Sequence, residues 1–148
     1  MIDVARSTTI NRPVGEVFAY VADMSKEPEW HTDVLEARRV TEGPIGVGTT
    51  YQSRVKPRMG VSEGVQEIVG FEPDRKRVLR GEMGPLRPTI TDLFEPTDGG
   101  TRFTRRIQIE ASGLMGLMLP LMGIMVGRSN TGFLANLKRV LERDSLRA

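Results

Sequence analysis

An α+β fold, a seven-stranded antiparallel sheet packed on one long C-terminal helix, is predicted by three observations in the sequence. Turn residues recur at the intervals of a meander from Gly43 to Gly100. A helical apolar stripe occupies residues 113–143. Between the first two predicted strands, Pro13 and Asp23 each open a short helical piece. No internal repeat, low-complexity tract or linker divides the 148 residues, so one domain over residues 1–148 is expected.

Val4 to Ile10 is the first strand. Pro13 then starts a helix, because its fixed φ suits a first turn and its missing N–H is not needed there; Val14, Val17, Phe18 and Val21 form its apolar face. A second short helical piece spans Met24 to Glu29 after Asp23, limited by Pro28 and closed by Trp30. Turns at Gly43-Pro44, Pro57 to Gly60, Pro73-Asp74, Gly84-Pro85 and Thr97 to Gly100 separate strands at about 34–41, 49–56, 61–71, 77–83, 88–95 and 101–110.

In the last segment Met115, Leu119, Met122, Val126, Phe133, Leu137 and Val140 share one stripe. Opposite it stand Arg128, Ala135, Arg139 and Glu142 in the second half, but Leu114, Leu117, Leu121 and Ile124 in the first. The first half is apolar all round and needs cover on two sides. Pro120 predicts a kink, or a separate turn before a helix beginning near it.

Composition removes several functions. With no Cys and one His, disulfides, thiolate chemistry and the usual zinc site are excluded; no metal and no cofactor are expected. The net charge of +2 is spread along the chain without a basic run, so no nucleic acid is expected as partner. The N-terminus lacks the layout of a signal peptide, and the uncharged run 113–127 is too short to span a bilayer. A cytoplasmic protein without stable membrane insertion is the expectation.

The chain resembles, over nearly its whole length, the polyketide cyclase/dehydrase and lipid-transport group of the SRPBCC superfamily, which has the START-related, pollen-allergen-like helix-grip fold. The matching pieces are Ile10 to Asp23, Trp30, Gly43 to Tyr51, Phe71-Glu72-Pro73, Gly99 to Phe103 and Leu134 to Glu142. The resemblance implies a sheet curved around the long helix with a hydrophobic cavity between them. It does not choose between carriers and enzymes.

Face assignments nominate residues for that cavity. In strand 101–110, Arg105 interrupts the apolar face of Phe103, Ile107 and Ile109; in strand 88–95, Asp92 interrupts Ile90 and Phe94. Treating Thr97 to Gly100 as the loop sets Pro96 opposite Thr101, Phe94 opposite Phe103, Asp92 opposite Arg105 and Ile90 opposite Ile107. Asp92 and Arg105 are then either catalytic groups at the polar end of the cavity or a structural cross-strand pair. Tyr51 and Glu63 are further ligand-binding candidates if their strand faces point inward. Met115, Met118, Met122 and Val126 are candidates for the helical wall, alongside Met125, because methionine moulds to varied shapes. His31 is either a general base or a surface or hydrogen-bonding residue at a helix-to-strand junction.

Two readings follow. Binding of a hydrophobic small molecule, a lipid, polyketide or aromatic, for carriage or sequestration comes first, since apolar wall candidates outnumber reactive groups. A polyketide cyclase or dehydratase using acid/base groups in the same cavity is the alternative. For Leu114, Leu117, Leu121 and Ile124 a homodimer seam is the first expectation.

Overall fold

A computed structural model describes residues 1–58, 60–111 and 113–145, the side chains of Arg58, Leu114, Met115, Met118, Asp144 and Ser145 excepted. Seven antiparallel strands form one curved sheet: β1 (Ile2–Ile10), β2 (Val34–Arg39), β3 (Thr50–Arg58), β4 (Val61–Glu72), β5 (Lys76–Glu82), β6 (Leu86–Thr97) and β7 (Gly100–Ala111). Their order is β1-β7-β6-β5-β4-β3-β2. Strands β2 to β7 are therefore a plain meander, and β1 closes onto the last of them.

Helix α1 (Val14–Ala22) follows Pro13 and buries Val17, Phe18, Val21 and Ala22. The 3₁₀ turn Met24–Glu29 is capped by Asp23, whose carboxylate accepts from the Ser25 N–H at 3.1 Å. It is closed by Trp30, whose N–H donates to the Glu27 carbonyl. Side chains three apart eclipse in such a turn. Met24, Glu27 and Trp30 consequently all point inward, each buried.

The β6–β7 register is the one predicted: Phe94 faces Phe103, Asp92 faces Arg105, and Ile90 faces Ile107. The connection is tighter than expected, because Thr97 and Gly100 also pair and leave only Asp98-Gly99, with Gly99 at φ 96°. Extending both strands by one residue preserves the pairing of every residue before them. At the start of β7 a Cβ on Gly100 would lie 2.2 Å from the Ile10 carbonyl oxygen, so glycine is what lets β1 end against β7.

At the C-terminus a 3₁₀ turn, Gly113–Met118, precedes the long helix α2 (Leu119–Ser145), with Pro120 in its first turn. Of the two outcomes expected at Pro120, the structure adopts the separate turn. The buried line of α2 runs through Leu119, Asn130, Leu134, Leu137 and Leu141. Met122, Val126, Phe133 and Val140 are only half-buried. The apolar stripe is thus two edges, one packed in the core, the other carrying Met122, Val126 and Phe133 to a cavity.

One core cluster joins α1, Trp30, Phe94, Phe103 and the second half of α2; another joins Met24, Val34, Ala37, Tyr51, Ile68 and Leu79. Leu117 of the 3₁₀ turn before α2, and Leu121 and Ile124 on the far side of α2, are 79%, 72% and 61% exposed, so the described residues leave them uncovered; the Leu114 side chain lies outside the described part. Among the described residues no helix is long and apolar enough to cross a membrane.

Candidate functional site

Between the inner face of the sheet, the 3₁₀ turn and α2 lies a cavity of about 660 Å³. Its sheet wall is made by Val34, Val55, Val61, Leu79, Pro88, Ile90, Ile107 and Ile109, and its helical wall by Met122, Met125, Val126 and Phe133. The polar groups on the lining are few: Glu27, His31, Asp33, Ser53, Lys56, Gln66, Ser129 and Asn130. Apolar walls with a handful of placed polar groups are the usual make-up of a small-molecule site. A second concavity of about 620 Å³ lies on the outer face of the sheet among exposed Glu67, Arg80, Glu82, Arg87 and Glu110, where charges remain solvated.

Beneath one end of the lining sits a buried cluster of four charges. Arg77, Asp92 and Arg105 stand side by side on β5, β6 and β7, because Arg77 pairs Asp92 and Asp92 pairs Arg105 across the sheet. Glu27 comes down on them from the 3₁₀ turn. Arg105 donates through Nε to Asp92 Oδ1 at 2.8 Å, and through Nη2 to Asp92 Oδ2 and Glu27 Oε1, both at 3.0 Å. Arg77 donates to Asp92 Oδ2 at 2.7 Å and to the Val21 carbonyl at 2.6 Å. The Arg105 guanidinium also lies 4.7 Å from the centre of the Trp30 ring. Two cations and two anions balance within the cluster.

Burial works to raise the pKa of Asp92 and of Glu27, but Arg105 and Arg77 hold both below the usual carboxylate range. Burial likewise opposes the charge on Arg105, and Asp92 and Glu27 raise its pKa regardless. Asp92, Glu27 and Arg105 stay ionised at neutral pH. Glu27 alone of the four reaches the lining.

His31 follows the 3₁₀ turn, its N–H donating to the Glu27 carbonyl at 2.7 Å. Its ring stacks on Phe133 of α2, with 3.9 Å between centres and 22° between planes. Burial lowers its pKa most; Glu27 pulls it up, Arg105 pushes it down, and the net direction is down. The ring is neutral at neutral pH.

Of the residues predicted from the sequence, Ile90, Ile107, Met122 and Val126 lie on the cavity. The structure brings Asp92 and Arg105 together as the register predicted, but beneath the lining. Phe94 and Phe103 lie in the core with Phe18, Trp30 and Leu134. Tyr51 points inward and is fully buried in the second core cluster instead of the lining. Glu63 is exposed and registers with Arg54, off the lining, because Gly64, Gln66 and Ile68 of β4 take the inward positions. The side chains of Met115 and Met118 lie outside the described part.

The sequence reading missed Glu27, Arg77, Gln66 and Asn130. Two of them carried a signal: Arg77 shares a strand face with Leu79, and Glu27 sits midway between Met24 and Trp30 at the spacing of a 3₁₀ turn. Among the described residues no group of three His, Cys, Asp or Glu side chains is placed to hold a metal ion.

The family model described as polyketide cyclase / dehydrase and lipid transport matches residues 1–142. No curated protein matches the chain. Among solved structures, TTHA0849 from Thermus thermophilus superposes with a TM-score of 0.79 at 19% identity, over 97% of this chain and 99% of that one. The di-domain ARO/CYC StfQ from the steffimycin biosynthetic pathway gives 0.76 at 15% identity, over 97% of this chain and 51% of its own. Ara h 8.0201 gives 0.67 at 19% identity, over 94% and 97%. These likenesses show the helix-grip fold, and with the match over residues 1–142 the chain belongs to the polyketide cyclase/dehydrase and lipid transport family.

Proposed function

We propose that the protein binds a hydrophobic small molecule between its sheet and α2 and carries or sequesters it. The observation that supports this best is the cavity itself: about 660 Å³, walled by isoleucine, leucine, valine and methionine side chains from six strands and the long helix. That volume suits a lipid chain or a molecule of several fused rings. The family description supports the same class of ligand.

A neutral hydrophobic fluorophore, N-phenyl-1-naphthylamine, tests the reading. Saturable binding is expected, and Val126→Trp, which fills the helical side of the cavity, should weaken it at least about tenfold without unfolding the protein. Binding unchanged by that filling would place the fluorophore elsewhere and remove the proposal. Native mass spectrometry of gently purified protein should show an adduct released on denaturation.

A polyketide-processing role is the second reading. It is supported by the two ionisable groups on the lining, Glu27 and His31, and by the fold shared with the ARO/CYC protein. In it Arg105 acts from beneath the lining, holding Glu27 ionised and in place, while Asp92 fixes the Arg105 guanidinium.

A further inference from the structure

Resting on the cavity reading above, we propose that His31 is the ligand-selecting residue, hydrogen-bonded through Nε2 to a hydroxyl group on an uncharged hydrophobic ligand. The ligand class is a phenol or an apolar alcohol, and carboxylate-bearing lipids are disfavoured.

The placement of the ring carries the first half. His31 lines the cavity and is clamped between its backbone bond to Glu27 and its stack on Phe133. Nδ1 is sealed from solvent without a hydrogen-bond partner, so Nε2 is the ring nitrogen left to meet a ligand. In a neutral imidazole Nε2 carries either the lone pair or the proton, and a hydroxyl, which both donates and accepts, pairs with it in either tautomer. A clamped ring nitrogen in an apolar chamber binds a hydroxyl strongly, because water competes poorly inside.

The charges around the ring carry the second half. The nearest guanidiniums, Arg77 and Arg105, lie beneath the lining and off it, bonded to Asp92, Glu27 and the Val21 carbonyl, with Arg77 Nε sealed there out of a ligand's reach. Lys56 is on the lining but faces Asp33, Nζ to Oδ1 at 3.9 Å. Glu27 presents an ionised carboxylate to the same chamber. An incoming carboxylate meets a like charge in Glu27, and Lys56, the cation on the described lining, already faces a carboxylate.

Three probes of one ring system separate the contributions: 2-naphthol, 2-methoxynaphthalene and 2-naphthoate, titrated calorimetrically at about pH 7.5, where the His31 ring is neutral. Expected is 2-naphthol tighter than 2-methoxynaphthalene by about three- to tenfold, the range one hydrogen bond supplies, with 2-naphthoate weakest. His31→Phe keeps an aromatic ring against Phe133 and should bring 2-naphthol to parity with the methoxy compound. Parity in the unaltered protein, a preference that survives His31→Phe, or 2-naphthoate binding tightest would each overturn the proposal. If 2-methoxynaphthalene itself fails to bind, the cavity reading falls first and this one with it. The comparison of probes on the unaltered protein stands whether or not the variant folds.

Discussion

Asp92 accepts hydrogen bonds from two buried arginines, and burial leaves neither guanidinium a way to recover its hydration. Asp92→Ala should therefore destabilise the protein by about 3–5 kcal/mol in urea unfolding, since it leaves an uncompensated buried charge. The pH dependence follows from the same groups. Asp92 and Glu27 have folded pKa values below their ordinary 3.8 and 4.5, so the unfolded chain binds more protons in that range; their stabilisation is complete above about pH 4.5 and is lost as pH falls through the lower folded values. His31 also has a lowered folded pKa, so its contribution is present above the ordinary 6.5 and declines as pH falls from there. Denaturant midpoints should decline gently from about pH 6.5 and steeply below about 4.5, and His31→Phe should remove only the first decline. Half of this cluster was legible in the sequence. Asp92 and Arg105 each broke an apolar alternation, and one hairpin register joined them. Arg77 needed the register of a second hairpin, and Glu27 a contact between residues far apart in the chain, which periodicity does not supply.

Elements were read more fully than contacts, because strand ends and helix starts are marked by residues whose backbone preferences act locally. Pro13, Asp23 and Pro120 each stand at the start of the helical piece they predicted. Two glycines give opposite tests of the backbone. Gly100→Ala would drive a Cβ into the Ile10 carbonyl and should cost about 2–4 kcal/mol, read as a lowered denaturant midpoint. Gly132, on the exposed side of α2 with nothing within 4 Å of a built Cβ, should accept alanine with a gain of about 0.5–1 kcal/mol. The direction of α2's side chains was harder to read. Its apolar stripe is continuous in sequence, yet Leu119 and Leu137 are buried while Val126 and Met122 meet open space, and hydrophobicity is the same in both settings.

At the scale of the molecule, the antiparallel meander and the helix against it followed from the pattern of turns and the amphipathic stripe, while cavity volume did not, because it is the difference between two packed surfaces. The uncovered face of α2 was visible in sequence as a helix apolar all round. Leu121→Lys with Ile124→Lys should leave the unfolding free energy within about 0.5 kcal/mol of the original, since both side chains already lie mostly in solvent. The four-charge cluster beneath the lining has a mechanical consequence for the chamber above it. Salt-bridged guanidiniums and carboxylates hold fixed lengths and angles, so that end of the chamber is a stiff template. Met122 and Met125 opposite can change rotamer at little cost and form a pliable one. A homologous series of ligands should consequently tolerate added bulk at the end that meets the helix, and lose affinity sharply for the same bulk at the end beside Glu27.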